Sequence, residues 1–320
     1  MRTPHPLRPA MLRTAAVATA VTLALAGCGQ AGSDGSDDAQ PGLSPEAAAS
    51  FPVTVGELTL DVRPERIVSL SPTATEMLFA IEAGDQVTAV DDNSNYPAEA
   101  PTTDLSGFTP NAEAIATYEP DLVVLSGDTN GVVAGLTRLS IPVYLADAAV
   151  TLDDTYRQLT ELGALTGHPD AAADLVGTMR SEIDKLVADA PELAEPLSYY
   201  YELDPTFYTV TSQTFVGSLF AMVGLTNVAD PADPQGEAGG YPQLSAEALI
   251  DADPDLIFLA DTLCCQQNAQ TVAQRAGWST ITAVQAGQVV ELNDDIASRW
   301  GPRVVDLIRA IVDAVDAAVS

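Results

Sequence analysis

Residues Asn111–Leu125 spell NAEAIATYEPDLVVL, and Ser245–Leu259 spell SAEALIDADPDLIFL. At an offset of 134, seven of the fifteen positions are identical: Ala, Glu, Ala, Pro, Asp, Leu and the closing Leu. Each copy opens on Asn111 or Ser245, short side chains whose oxygen can accept a free N–H of a helix's first turn. A short helix is then stopped by Pro120 or Pro254, because proline lacks the N–H that would continue it. Four apolar residues follow, LVVL or LIFL. An unbroken apolar run of that length suits a strand covered on both faces, as in a parallel sheet. Two copies of one helix–strand unit predict two α/β lobes of like, Rossmann-like construction.

The flanking segments fit this plan. Arg66–Leu70, Val87–Val90, Val143–Leu145, Tyr199–Tyr201 and Val289–Leu292 have strand character, and Val53–Val62 alternates as a leading hairpin would. Thr73–Ala83, Leu152–Thr166 and Pro302–Val319 have helix character. Between the two copies, Pro169–Ala190 carries Leu175, Val176, Met179, Ile183, Leu186 and Val187 at three- and four-residue steps. Pro169 at its start and Pro191 just after its end mark the limits. A helix of that length is a rod of roughly 33 Å. A single rod joining two lobes would limit hinge motion. The expected organisation is an N-terminal lobe over residues 51–167, a connecting helix over 168–190 and a C-terminal lobe over 191–320.

Composition removes several functions. The chain has 320 residues with 13 Lys+Arg against 45 Asp+Glu, a net charge of −32. Nucleic-acid binding needs basic surface to displace counterions, and this chain lacks it. With 47% hydrophobic residues it can bury real cores. There are two His, His5 and His168, and one Lys, Lys185. No HExxH metal motif, no Gly-Lys-Ser/Thr phosphate loop and no G-x-S-x-G elbow occurs, so no metal site and no catalytic set can be drawn. His168, in TGHPD, is expected to be a solvated cap residue. Asp153–Asp154 and Asp294–Asp295 could imitate glycosidase carboxylates, which keeps an exported hydrolase as the rival class, but they fit helix starts and loops better.

The first 13 residues hold Arg2, Arg8 and Arg13 and no acid, and residues 14–26 are apolar or small. That run is too short to span a bilayer and has the size of a signal-peptide core. It ends in Leu25-Ala26-Gly27-Cys28, which resembles the bacterial lipobox. The resemblance implies removal of residues 1–27 and lipidation of Cys28. Residues 28–50 then form a Gly-, Ser- and Asp-rich tether with a span of roughly 25 Å. The folded part is expected on the outer face of the cytoplasmic membrane, touching it through the lipid alone. Export favours oxidised cysteines. Cys264 and Cys265 are adjacent, and a vicinal disulfide is the favoured state over two free thiols or intermolecular pairing.

Arg66–Glu76 (RIVSLSPTATE), followed by Met-Leu-Phe-Ala, resembles the opening of the iron-siderophore and vitamin B12 class of substrate-binding proteins of ABC importers. So do Asn95-Tyr96-Pro97, Glu119–Val124 (EPDLVV), Gly224–Val228 (GLTNV) and Gly301-Pro302-Arg303, in the right order from about residue 53 to 318. Glu82 departs from the pattern, which usually has Gly there; it lies near a helix end and is expected to cost little. The resemblance implies a ligand cleft between the lobes, no cofactor, a monomeric receptor and a two-fold permease dimer with ATPase subunits as partner. Glu113 and Glu247, equivalent in the two repeats, correspond to the carboxylates that dock on the two permease subunits; a first-turn acid is also favoured by the helix dipole.

Cleft residues should follow strand ends, where open parallel sheets bind ligands. The candidates are Asn93, Tyr96, Phe108, Ser126, Gly127, Tyr201, Tyr208, Tyr241, Asp295, Arg299 and Trp300. Tyr241 and Tyr201 match aromatics of the B12-binding relative, Phe108 approximately does, and Arg299 matches an Arg beside its ligand. Asn93 and Ser126 stand where that relative has aromatics. A cobalamin-like corrinoid ranks first as cargo, a ferric hydroxamate siderophore second and haem third.

Overall fold

The computed structural model describes residues 50–320. The leader, Cys28 and the tether up to residue 49 lie outside the described residues. Among the described residues no helix is long and apolar enough to cross a membrane.

A small antiparallel hairpin, β1 (Val53–Val55) and β2 (Leu58–Leu60), leads the chain. The N-terminal lobe follows as β3 (Ile67–Leu70), α1 (Pro72–Ala80), β4 (Val87–Asp91), β5 (Thr102–Leu105), α2 (Ala112–Ala116), β6 (Leu122–Leu125), α3 (Val132–Arg138), β7 (Val143–Leu145) and α4 (Leu152–Thr166). The connecting rod is α5 (Pro169–Asp189). The C-terminal lobe runs β8 (Ser198–Glu202), α6 (Phe215–Ala221), β9 (Thr226–Asn227), α7 (Ala246–Ala252), β10 (Leu256–Leu259), α8 (Ala269–Ala273), α9 (Thr282–Ala286), β11 (Val289–Glu291), α10 (Asp294–Ser298) and α11 (Val304–Val319). Two parallel sheets result, ordered β5-β4-β3-β6-β7 and β11-β10-β8-β9.

The repeated strands hold equivalent places: β6 lies between β3 and β7, and β10 between β8 and β11. Both are buried along their whole length. The identical Asp in each copy does one job. Asp121 accepts the N–H groups of Glu65 and Arg66 at 2.9 and 3.0 Å, and Asp255 accepts the N–H and hydroxyl of Ser198 at 2.8 Å each. Each thus stitches the repeat strand to the first strand of its own lobe. Glu119 and Asp253, also 134 apart, both take a left-handed turn with φ of 50° and 46° before the shared proline.

The rod packs against α4 from one lobe and α11 from the other. Met179 and Ile183 are buried in a core that continues into both lobes, and Leu175, Val176, Leu186 and Val187 pack at its margin. Asp153 and Asp154 occupy the first turn of α4, where Asp154 completes a capping box with Thr151. His168 is not solvated as expected. It is partly buried, with Nε2 2.7 Å from Arg63 Nη2 and 3.2 Å from Gln86 Oε1.

Two departures from expectation are physical. α1 ends at Ala80 rather than Ala83 because the chain turns left-handed at Glu82, φ 66°. There the N–H groups of Glu82 and Ala83 return to the carbonyls of Phe79 and Leu78, the Schellman pattern that glycine favours. The Glu in place of the usual Gly therefore carries a backbone cost that its position in the sequence does not show. Several short elements, β5, α3, α6, α8 and α9 among them, have no strong periodicity and are set by packing.

Polar contacts join the lobes at the C-terminal ends of their strands. Glu76, in α1 and 3% exposed, accepts from Arg299 at 2.8 Å and from Arg303 at 2.8 and 2.6 Å. Arg299 also donates to the Asn93 carbonyl, to Asn95 Oδ1 and to Asp295, while Asn95 donates to Asp295 at 2.8 Å. Trp300 donates its indole N–H to Gln158 at 3.0 Å and accepts at its carbonyl from Thr155 at 2.9 Å. Arg303 lies over the Tyr96 ring, 4.1 Å from its centroid. The segment 299–303 of one lobe is thereby clasped to α1, α4 and the 93–96 loop of the other.

Two outcomes follow from these joints. Glu82→Gly removes the left-handed penalty and should raise unfolding stability by about 0.5–1 kcal/mol in urea titration; an unchanged or lower midpoint contradicts that account. Glu76→Ala leaves the largely buried Arg303 without its carboxylate and Arg299 with Asp295 as its one acid, and should cost about 3–5 kcal/mol. A loss under about 1 kcal/mol, the level of an exposed pair, would show that the clasp is solvated.

Candidate functional site

The N-lobe half of the candidate site is one concavity beyond the ends of β3, β4 and β6. It is lined by Leu70, Pro72, Asp91, Asn93, Gly107, Phe108, Ser126, Gly127 and Thr129. Four sequence candidates, Asn93, Phe108, Ser126 and Gly127, are thus brought together. Phe108 is 77% exposed, far more than a core phenylalanine would be. Asp91 closes the floor. It is buried, accepts the Ser94 hydroxyl, and burial pushes its carboxyl above the usual range. Gly107 passes so close that an added Cβ would stand 2.7 Å from the Asp91 carboxylate and 3.0 Å from the Leu70 carbonyl. Asp91 and Gly107 were not among the sequence candidates; the signal available was Asp91's place at a strand end.

The C-lobe candidates divide. Tyr208 and Tyr241 are exposed, at 43% and 50%. They share a short antiparallel extension beyond β8, where Tyr208 bridges Gln243 and the Thr209 N–H donates to the Pro242 carbonyl at 3.1 Å. Tyr201 is a correction. It is fully buried on the face of β8 that points into the shared core, its hydroxyl donating to the Ala297 carbonyl at 2.8 Å. Burial also pushes that hydroxyl's pKa up. Tyr199 packs on the same side, stacked 4.1 Å from Phe220, and Tyr200 points to the opposite face near Trp278. A strand covered on both faces buries all three tyrosines, so adjacency to a strand end did not mean access to the cleft. Arg299 and Trp300 are likewise occupied: Arg299 is 9% exposed with its guanidinium on Glu76 and Asp295, and Trp300 is partly buried between the lobes. Asp295 belongs to the same network, and Tyr96, 46% exposed, stands at its edge. These residues lie in the polar seam between the lobes.

Glu113 and Glu247 are both exposed, each the second residue of its helix, α2 or α7. The caps are as expected: Asn111 accepts the Ala114 N–H at 2.9 Å and Ser245 the Ala248 N–H at 3.1 Å. Both helices begin at the strand edge that carries the concavity and the clasp, since each runs back before entering β6 or β10.

Behind the C-lobe edge lies a buried ionic cluster. Arg275 donates to both oxygens of Glu202, at 2.6 and 2.5 Å, and to Gln267 at 2.7 Å. Asp261 is fully buried beside them, and burial next to Glu202 pushes its carboxyl up to about 7. Cys264 and Cys265 are joined in a disulfide on the loop that follows. Among the described residues no group of three or more His, Cys, Asp or Glu is arranged to hold a metal ion.

Comparison with known proteins places this geometry. An ABC transporter substrate-binding lipoprotein of Bacillus subtilis, YvrC, is 27% identical over 322 residues, 95% of this chain and 98% of its own. A cobalamin-binding protein of Halobacterium salinarum is 31% identical over 284 residues, 84% of this chain and 75% of its own. The crystal structure of the vitamin B12-binding protein BtuF of Vibrio cholerae superposes with a TM-score of 0.66 at 26% identity, covering 80% of this chain and 98% of that one. The model of the periplasmic binding protein family matches residues 67–296, from the first strand of the N-lobe sheet into α10. The repeat, the clasp and the facing strand edges therefore have a common setting: the chain belongs to the periplasmic binding protein family.

Proposed function

We propose that the chain is an extracytoplasmic solute receptor that hands a cobalamin-like corrinoid to an ABC import permease. The observation that carries the ligand class is the absence of cationic side chains from the N-lobe concavity: none of its nine lining residues is Lys or Arg. The nearby guanidiniums of Arg299 and Arg303 are already committed to Glu76 and Asp295. An anionic ferric complex needs several free cations to hold it. A corrinoid presents a broad apolar ring fringed with neutral amides. Exposed Phe108, Tyr208 and Tyr241, with the small polar Asn93, Ser126 and backbone of Gly127, suit that surface. The relatives that bind cobalamin support the same reading. A neutral or cationic ferric hydroxamate fits the same chemistry and is the second reading. A lipid on Cys28 would keep the receptor beside its permease.

Glu113 and Glu247 are proposed as the docking carboxylates. Two exposed acids at equivalent places on two lobes match a two-fold partner. Both lie at the edge where the cargo sits, so a permease gripping them covers the cleft mouth.

Titration of the mature chain with cobalamin, a ferric hydroxamate and haem should give one tight equimolar complex, with cobalamin the best ligand; failure of all three to bind would end the receptor reading. Glu113→Lys with Glu247→Lys should abolish uptake in cells while leaving ligand affinity unchanged, since exposed charges guide encounter and orientation. Normal uptake by that variant would remove both residues from docking.

A further inference from the structure

The loop from Asp261 to Asn268 follows the C-terminal end of β10, the edge at which open parallel sheets receive ligands. It is fastened from several sides. The Asp294 carboxylate accepts the Thr262 hydroxyl at 3.0 Å, the Leu263 N–H at 2.9 Å and the Cys264 N–H at 2.8 Å. Thr262 also donates to the Leu292 carbonyl at 2.6 Å, and the Asp261 carbonyl accepts from Cys265 and Gln267. The residue after Asp294 is Asp295, which holds Arg299 and reaches Asn95 in the other lobe. The loop is therefore tied directly to the clasp and stands beside the seam between the lobes.

Part of what this fastened loop shows to solvent is an apolar patch, next to the exposed Gln266. Leu263 is 62% exposed, Cys264 is exposed, and the disulfide closes a small ring through the peptide between the two cysteines, Cα–Cα 3.8 Å. Charged groups adjoin it: Asp294 holds its backbone, Asp295 follows Asp294, and Glu202 with Arg275 and the buried Asp261 form the cluster described above. With Asp295 matched by Arg299, three carboxylates, Asp261, Glu202 and Asp294, stand against the one guanidinium of Arg275, an excess that disfavours an anion at that face even with Asp261 protonated. A flat, neutral or cationic ring system with an apolar face is the complementary shape, and it is the cargo class that the Phe108 concavity takes on the other lobe.

We propose that the 261–268 loop is the C-lobe wall of the cargo site, with Leu263 and the Cys264–Cys265 ring as its contact for a flat macrocycle, so that cargo grip depends on the oxidation state of this pair. The inference rests on the receptor reading above. The redox step is ordinary thiol exchange with a dithiol. A thiolate of the reductant attacks the exposed Cys264 sulfur, a mixed disulfide forms and Cys265 leaves as thiolate. The reductant's second thiol then closes its own disulfide and releases Cys264. Two electrons pass to the pair, two protons follow, and the reductant is oxidised. The reduced loop regains backbone freedom, and binding cargo must then order it again.

The test uses the mature chain and three probes, cobalamin, haem and a ferric hydroxamate. Affinity is measured for the oxidised protein and for protein reduced with dithiothreitol, freed of reductant under anaerobic conditions. For the probe that binds, reduction should raise the dissociation constant at least about fivefold. Cys264→Ser with Cys265→Ser should do the same and no longer respond to reductant. Leu263→Ser, at an exposed position that does not endanger folding, should weaken binding about tenfold through lost apolar contact. If the oxidised chain binds a probe while reduction and Leu263→Ser both leave its affinity within about twofold, the wall lies elsewhere and the proposal is wrong. If the oxidised chain binds none of the three, the receptor reading fails and the proposal falls with it.

Discussion

One buried carboxylate organises the region between the lobes. Glu76 is held by two guanidiniums at 2.6 to 2.8 Å, all three groups contributed by segments that meet only because the two sheets face each other. Taking such charges out of water is unfavourable unless geometry and additional hydrogen bonds compensate. Here they do: Arg299 reaches Asp295, Asn95 and the Asn93 carbonyl as well, and Arg303 lies over Tyr96. The residues fixed this way are the loop after β4 and the approach to α11, which border the candidate cleft. The Gly301-Pro302-Arg303 signature, one of the family's weak motifs when taken singly, is in this chain the part of the clasp that returns the C-lobe to Glu76.

The scarcity of basic residues acts through the same contacts. Arg63 and Arg66 are consumed by carbonyls and neutral side chains, Arg157, Arg180 and Arg309 by surface acids, and Arg275, Arg299 and Arg303 by buried ones. Little positive charge is left to offset an acid excess already visible in the composition. A net charge of −32 opposes association with anionic lipid and with anionic cargo.

Much of this was legible in the sequence where a residue's role is local. The repeat located β6 and β10, the prolines bounded the rod, and Asn111, Ser245 and Thr151 cap their helices through their own side chains. The identity of Asp121 and Asp255 has a structural cause that spacing alone did not reveal, because their partners lie 55 to 57 residues away. The cleft was legible only in part. Asn93, Phe108, Ser126 and Gly127 share one concavity, as their places after strand ends suggested. Tyr201 was misplaced because period-two alternation separates two faces and cannot say that both are covered. Arg299 and Trp300 lie between the lobes, and their partners Glu76 and Gln158 are 223 and 142 residues distant, pairings that no local pattern encodes.

The covalent rod and the clasp are two separate attachments between the same two lobes. A body held at two places keeps one easy motion, rotation about the line that joins them; sliding and wide gaping are both blocked. A twist of one lobe against the other about this axis would widen the seam without first breaking either attachment.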